Sequence, residues 1–154
     1  MSCILVLIRH AQPAERQPGQ LDFERGLTTS GKVQAKRLGE KLSMLSGKPQ
    51  TIIASTAFRA RETAELVSHE VGVPVNSDSR LYQANETVYA EIINDLTTAS
   101  VAIVGHNPTI SAVAAFLLND SSVELHVGHA VVMEMSKWHF YPGAGRLVEY
   151  ISAE

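Results

Sequence analysis

The sequence contains one cysteine, no tract of basic residues and no hydrophobic run long enough to cross a membrane. Cys3 can form no internal disulfide and has no partner at zinc-ligand spacing, so we expect a reducing compartment. The apolar run from Ile4 to Ile8 has no basic residue before it and ends at Arg9-His10, and it is too short for a secretory signal or a membrane span. We therefore expect a cytoplasmic protein that does not bind membranes.

Size and charge exclude further classes of protein. The 154 residues include 13 Lys and Arg against 16 Asp and Glu, and 45% of them are hydrophobic. This balance is typical of a globular domain with a sizeable core, and not of disordered or fibrous chains. No cationic run could neutralise many phosphates in a row, which argues against a nucleic-acid partner. We expect one domain over residues 1–154.

Short buried runs alternate with amphipathic segments, which predicts strands alternating with helices. Three runs are apolar on both faces, as strands inside a parallel sheet are: Cys3–Ile8, Thr51–Ala54 and Val101–Val104. Four segments have apolar residues at helical spacing: one that begins after Thr28 and ends near Gly47, one with Ala60 to Val71 on its apolar face and Gly72 as its stop, one from about Thr87 to Leu96, and one from Ile110 to Leu118. The segment Val73–Val75 predicts a weaker strand at an edge, because proline cannot donate to a ladder.

The end of the chain has a different pattern. Two runs, Val131–Met135 and Leu147–Ile151, are separated by the turn-forming segment 141–145, which predicts a hairpin or an antiparallel edge. Together with the alternation before it, this pattern predicts an α/β fold. We expect a single three-layer domain with a mostly parallel central sheet, helices on both faces and an antiparallel C-terminal edge.

Cationic and imidazole side chains follow three of the predicted strands. Arg9 and His10 end the first strand, Arg59 lies in the helix after the second, and His106 follows the third. The carboxyl ends of parallel strands meet at one edge of a sheet, where ligands bind, so we expect these four side chains to lie together. Two guanidinium forks and two imidazoles suit a phosphoryl group better than a neutral ligand.

The nucleophile that attacks such a phosphoryl group is predicted to be a histidine. The sequence has no Gly-x-x-x-x-Gly-Lys-Ser/Thr loop, no Gly-x-Gly-x-x-Gly and no cluster at metal-ligand spacing, so we expect no metal and no cofactor. A neutral imidazole, with a pKa of about 6.5, is a competent nucleophile near pH 7. We expect a phosphohistidine enzyme that water hydrolyses, with the arginines in place of metal ions.

Four segments carry a family resemblance: Leu5–Ala11, Leu27–Gly31, Ser55–Ala64 and Val104–Pro108. In this order they resemble the motifs of the histidine phosphatase superfamily, the phosphoglycerate mutase-like proteins. The resemblance implies that His10 is the phosphorylated nucleophile and that Arg9, Arg59 and His106 complete the phosphate pocket. Arg25 resembles a further arginine near the site, which implies a role in substrate binding. The short length and the last motif are most similar to the small SixA-type phosphohistidine phosphatases.

Two positions depart from the superfamily pattern. Ala11 stands where glycine is usual, and we expect a harmless variant unless that position needs a positive φ. Larger members place a glutamate general acid where this chain has the segment Arg80–Glu86. In that segment Gln83 cannot donate a proton as an acid does, and Glu86 is a possible general acid.

The missing acid favours a substrate with a P–N bond. An alkoxide leaving group has a parent pKa of about 16 and needs a proton, whereas the imidazole of phosphohistidine has a conjugate acid near pKa ~6.5. The resemblance therefore implies a metal-free phosphatase that acts on phosphohistidine in a partner protein. Two alternatives stay open: a small-molecule phosphomonoesterase or phosphoglycerate mutase-like enzyme that acts on a small phosphate ester, and a non-catalytic module that binds phosphate or a phosphoprotein.

Overall fold

The computed structural model describes residues 2–154, which form a six-stranded sheet with helices on both faces. The strands are β1 (Cys3–Arg9), β2 (Thr51–Ser55), β3 (Val75–Asp78), β4 (Ser100–Gly105), β5 (Ala130–Met135) and β6 (Gly145–Ile151). The helices are α1 (Thr29–Ser43), α2 (Phe58–Val71), α3 (Glu86–Asn94) and α4 (Thr109–Leu118). Short 3-10 helices lie at Asp22–Glu24 and Ser79–Leu81.

The strand order is β3-β2-β4-β1-β5-β6. Strands β1 to β4 run parallel to their neighbours among themselves, whereas β5 is antiparallel to both β1 and β6. The hairpin at the end of the chain therefore completes one side of a parallel sheet. This topology confirms the α/β fold class with its mostly parallel sheet and antiparallel C-terminal edge.

Alternate residues of β1 face two separate cores. Leu5 and Leu7 are fully buried against α3 and α4 on one face of the sheet, and Val6 and Ile8 are fully buried against α1 and α2 on the other. Side chains of a strand alternate between the two faces of its sheet, so a strand covered on both sides must be apolar throughout. The three-layer arrangement follows from that pattern.

The helix boundaries follow local chemistry. The Thr28 hydroxyl accepts a hydrogen bond of 2.9 Å from Gly31 N and caps α1. Gly72 ends α2 with φ of +78°, a conformation that glycine adopts without a steric penalty. The sequence predicts an edge strand over 73–75, but β3 begins only at Val75. Pro74 has no N–H to donate, and its carbonyl accepts a hydrogen bond of 3.0 Å from Ile52 N.

The loop after β1 is packed tightly. Ala11 is fully buried, its φ is not positive, and its N–H donates to Thr63 Oγ1 at 3.0 Å, so alanine fits there without strain. A Cβ on Gly31 would lie 2.3 Å from the backbone oxygen of Gln12, which explains why glycine stands at this position of α1. Within residues 2–154, no helix is both long and apolar enough to cross a membrane.

Candidate active site

The parallel pairing of β1 with β4 brings two histidines together. The last register pair is Arg9 with Gly105, so His10 and His106 each stand one residue beyond a strand end. Their ring centroids are 5.2 Å apart, and His10 N donates to Gly105 O at 3.1 Å. Arg59 enters from the first turn of α2, which follows the strand on the other side of β4. The structure thus brings together His10, Arg9, Arg59 and His106 at the carboxyl edge of the sheet.

His10 is held as a neutral base. Its side chain is only 6% exposed, and Nδ1 lies 2.8 Å from the carbonyl oxygen of Ala11. A carbonyl oxygen only accepts hydrogen bonds, so Nδ1 carries the ring proton and Nε2 keeps its lone pair. Burial lowers the pKa of His10 to about 3; the Ala11 carbonyl opposes this effect, and the charges of His106, Arg59 and Arg9 add to it.

His106 is anchored by a serine. Its Nε2 shares a hydrogen bond of 2.8 Å with Ser55 Oγ, and the same oxygen accepts from Ala57 N at 3.3 Å. Burial lowers the pKa of His106 to about 4; the charges of Arg59 and Arg9 also lower it, and Asp22 acts in the opposite direction. The imidazole is therefore neutral at pH 7.

Arg59 is fixed by Asp22. Its Nη1 donates to the backbone oxygen of Asp22 at 2.9 Å, and its Nη2 donates to the Asp22 carboxylate at 3.1 Å. Arg25 Nη1 and the Tyr82 hydroxyl donate to that carboxylate as well, at 2.9 and 3.0 Å. Partial burial acts to raise the pKa of Asp22, but the donors and the Arg59 charge outweigh it and lower the pKa to about 2.

Arg9 contributes a charge that no carboxylate of residues 2–154 neutralises at close range. Its Nη1 donates to the Leu125 carbonyl at 3.2 Å, and its buried Nε has no hydrogen-bond partner in the described chain. None of the ion pairs within 4.0 Å among residues 2–154 includes Arg9. Burial lowers the pKa of this guanidinium, and Glu124 partly offsets the effect. An anion is the ligand that such a group favours.

The two remaining predicted residues lie in different settings. Arg25 joins the site through Asp22 and also donates from Nε to the Ala14 carbonyl at 2.9 Å. Glu86 is the first residue of α3 and is exposed, and it makes no hydrogen bond or ion pair within the part of the chain that the structure describes. The contacts therefore connect Arg25, but not Glu86, to the group around His10.

The sequence analysis missed Asp22 and Tyr82 as members of the site. Asp22 is 37 positions from Arg59 and 60 positions from Tyr82, so no local spacing connects them. The only local signal is the ion pair between Asp22 and Arg25, three residues apart. Over residues 2–154, no group of three or more His, Cys, Asp or Glu side chains is arranged to hold a metal.

Comparisons with known proteins identify the family of this chain. Residues 5–85 match the model of the histidine phosphatase superfamily, branch 1. The chain is 38% identical over 87 residues to the mitochondrial serine/threonine-protein phosphatase PGAM5 of Xenopus tropicalis, covering 56% of this chain and 31% of that protein. It is 41% identical over 99 residues to the uncharacterized protein ML1117 of Mycobacterium leprae, covering 62% and 60%. The chain thus spans less than two thirds of either relative.

Solved structures extend the similarity over nearly the whole chain. The proposed phosphohistidine phosphatase SixA of Agrobacterium tumefaciens superposes with a TM-score of 0.85 at 25% identity, with 97% of each chain covered. The protein histidine phosphatase SixA in complex with tungstate gives a TM-score of 0.85 at 19% identity, with 97% of each chain covered, which shows a shared fold. With the family model matched over more than half of its length, the chain belongs to the histidine phosphatase superfamily.

Proposed function

We propose that this protein is a phosphatase that forms a phosphohistidine intermediate on His10 and removes phosphate from phosphohistidine in a partner protein. The observation that carries the proposal is the state of His10: a buried neutral imidazole whose proton is held on Nδ1 by Ala11. Around it stand Arg9, Arg59 and His106, whose donors suit a phosphoryl group.

In the first step, Nε2 of His10 attacks phosphorus while the bond to the leaving group breaks. Arg9 and Arg59 hold the phosphoryl oxygens, and their fixed charges stabilise the spread of negative charge in the transition state. His106, anchored on Ser55, donates a further N–H once the bound dianion favours its protonated form. These groups supply the positive charge that metal ions supply in other phosphoryl-transfer enzymes, so we expect no metal requirement.

In the second step, water attacks the phosphorus of phospho-His10. The P–N bond breaks, its electron pair returns to Nε2, and the proton of the water leaves with inorganic phosphate or the solvent. Both steps leave the Nδ1 proton of His10 where the Ala11 carbonyl holds it. The enzyme therefore returns to the state from which it started.

The lack of a carboxylic acid near the leaving group supports a P–N substrate. Asp22 is the carboxyl group that contacts Arg59, and with a pKa of about 2 it has no proton to give at neutral pH. Glu86 is exposed and unpaired within the described residues. An imidazole with a conjugate-acid pKa of about 6.5 leaves without the assistance that an alkoxide needs. The similarity to SixA structures adds support.

A phosphate ester is the second candidate substrate. It is favoured by the 38% identity to a relative named as a serine/threonine-protein phosphatase. In that case a group near the mouth of the site must protonate the departing alkoxide, and Glu86 is the residue that we would test first. Hydrolysis of a phosphoserine peptide would support this second candidate, because its alkoxide needs a proton in order to leave.

The test measures phosphate release from a histidine-phosphorylated protein and from a phosphoserine peptide, whose alkoxide leaving group needs a proton, each with and without a chelator. We compare the wild type with His10→Ala, and with His69→Ala as a matched control on the exposed face of α2. We expect chelator-resistant hydrolysis of the phosphohistidine substrate that requires His10 and not His69. Equal or faster hydrolysis of the ester would favour the second candidate, and binding of phosphate without any turnover would identify a non-catalytic module.

A further inference from the structure

A row of four rings leads from the candidate nucleophile to the surface. The centroid of His10 lies 5.2 Å from that of His106, His106 lies 5.9 Å from Tyr82, and Tyr82 lies 5.2 Å from Phe23. The last two contacts are edge-to-face, with interplanar angles of 74° and 84°. Exposure rises from 6% at His10 to 36% at Phe23, so the row runs from the buried base to the solvent.

A carboxylate stands beside the outer half of this row. Asp22 directly precedes Phe23, and its Oδ2 accepts the hydroxyl proton of Tyr82 at 3.0 Å. Its Oδ1 accepts one hydrogen bond, from Arg25, which leaves an acceptor position on an oxygen that can take two. The Asp22 side chain is 45% exposed and can therefore be reached by a ligand.

Phe23 can be reached as well. Its ring is 36% exposed, and with Glu24, Phe58 and Arg61 it borders an open cavity of about 270 Å³ that is not lined by Asp22 or Tyr82. The Arg61 guanidinium already lies over the Phe58 ring, 5.4 Å from its centroid. The rings of Phe23 and Tyr82 meet edge to face, and among the described residues no such cation lies over the ring of Phe23.

We propose that Phe23, Tyr82 and Asp22 form the leaving-group subsite and bind the protonated imidazole ring of phosphohistidine. The inference rests on the proposed function and names the feature that would select its substrate. A planar cation packs favourably against aromatic rings, and a carboxylate accepts its N–H. The side chain of phosphoserine or phosphothreonine offers neither a ring nor a positive charge.

The subsite also explains how a P–N bond can break without a protein acid. Nε2 of His10 forms a bond to phosphorus as the P–N bond of the substrate breaks, and the bonding electrons stay on the substrate nitrogen. Because the substrate ring already carries a proton on its other nitrogen, it leaves as neutral imidazole. Asp22 holds that N–H without taking its proton, since a carboxylate is far less basic than imidazole.

The test uses two substrates with the same bond and different leaving groups: a phosphohistidine peptide, and phosphoramidate, which has no ring. We expect Phe23→Ala to lower kcat/KM for the peptide by about tenfold, the size of effect typical of an aromatic contact, and to change kcat/KM for phosphoramidate less than twofold. Phe23→Trp should retain the preference for the peptide, and Phe23→Leu should lose it, because leucine keeps the apolar surface but not the ring.

Tyr141→Ala is the matched control. Tyr141 is 39% exposed, similar to Phe23, but it follows Met135, which pairs with Cys3 at the amino end of β1, opposite to the site. Tyr141→Ala should leave kcat/KM for both substrates unchanged. Phosphoramidate hydrolysis also shows that each variant is folded.

The two failures can be told apart. If the wild type hydrolyses neither substrate, the proposed function fails, and this inference fails with it. If the wild type hydrolyses both and Phe23→Ala lowers both equally or neither, the phosphatase proposal stands and the leaving-group subsite is overturned.

Discussion

The Nδ1 atom of His10 lies 2.8 Å from the carbonyl oxygen of Ala11. One short backbone contact thereby decides which nitrogen of a buried imidazole is free to react, before any substrate is present. The contact depends on the loop that follows β1, which α2 holds through the hydrogen bond from Ala11 N to Thr63. The reactivity of the site is therefore set by backbone geometry as well as by side chains.

The intermediate is expected to carry phosphate on Nε2 of His10. We would mix the protein with phosphoramidate, quench in alkali to protect the P–N bond, and locate the phosphate by peptide mass spectrometry and phosphorus NMR. His10→Gln should give no label, and His69→Gln should label as the wild type does. A label on His106, or on Nδ1 of His10, would contradict the assignment.

The hydrogen bond between Ser55 and His106 should matter for catalysis. Ser55→Ala removes the partner that orients Nε2 of His106, and we expect kcat/KM to fall about tenfold, the effect of losing an orienting hydrogen bond of about 1.4 kcal/mol. The kcat/KM of Ser55→Cys, which keeps a weak donor, should lie between those of the wild type and Ser55→Ala. Steady-state kinetics with the histidine-phosphorylated protein measure the effect. Unchanged kinetics in Ser55→Ala would show that His106 needs no anchor.

Arg59 should not be replaceable by lysine. Its fork reaches both the backbone and the carboxylate of Asp22, and a single ammonium cannot reproduce that geometry and also bind phosphoryl oxygens. We expect Arg59→Lys to lower kcat by about 100-fold, as removal of one transition-state donor typically does. Arg37→Lys, on the exposed face of α1, is the control. A loss of less than fivefold would mean that charge alone suffices at this position.

Much of the fold was predictable because its inner strands, β1, β2, β4 and β5, are largely buried. A run such as Val101–Val104, apolar on both faces and only four residues long, is typical of the interior of a covered sheet, and its position after a helix favours the parallel order. The bounds of the edge strand β3 were predicted less accurately, because an edge strand pairs with a single neighbour, here β2. The cytoplasmic location stays a prediction.

The site was predictable only where strand ends define it. Arg9, His10 and His106 follow from topology, since parallel strands deliver their next residues to one edge. Asp22 could not be found in this way, because the loop that carries it folds back onto α2 from a distance of 37 residues. Ser55 stands at a strand end too, but its contact with His106 depends on side-chain orientation that the sequence does not encode locally.

Stability should fall as the pH is lowered from about 6.5 to 4.5. His10 and His106 have pKa values of about 3 and about 4 in the folded protein, below the value of about 6.5 in an unfolded chain. In this range the unfolded chain binds more protons, so acid favours unfolding by up to about 1.4 kcal/mol per pH unit for each histidine.

Urea unfolding at several pH values measures how steeply the free energy of unfolding depends on pH. His106→Gln should flatten the dependence of the free energy of unfolding on pH by about half. A wild-type stability that is constant from pH 6.5 to 4.5 would show that the two imidazoles are not held neutral by the fold.

Gly105 and Tyr89 should be strongly coupled in stability. A Cβ at Gly105, next to His106, would lie 2.0 Å from the hydroxyl oxygen of Tyr89, which is fully buried. That hydroxyl has no hydrogen-bond partner of good geometry among the described residues, and only a weak interaction with the backbone of His106 lowers its pKa against the effect of burial, so it contributes little that a phenyl ring would lack. We expect Gly105→Ala to cost at least about 2 kcal/mol through overpacking, and Tyr89→Phe to be neutral or stabilising by about 1 kcal/mol.

The double variant Gly105→Ala with Tyr89→Phe tests whether the Tyr89 hydroxyl causes the overpacking at Gly105. With the Tyr89 oxygen removed, the nearest atom to the new methyl group is ring carbon Cζ at 3.2 Å, a contact that a small shift relieves. Gly105→Ala with Tyr89→Phe should therefore recover more than half of the loss in urea unfolding, a coupling of about 1 kcal/mol or more. Activity should recover with it, because Gly105 O accepts the hydrogen bond from His10 N and a displaced strand end would move both histidines. Additive effects of the two substitutions would place the strain elsewhere around His106.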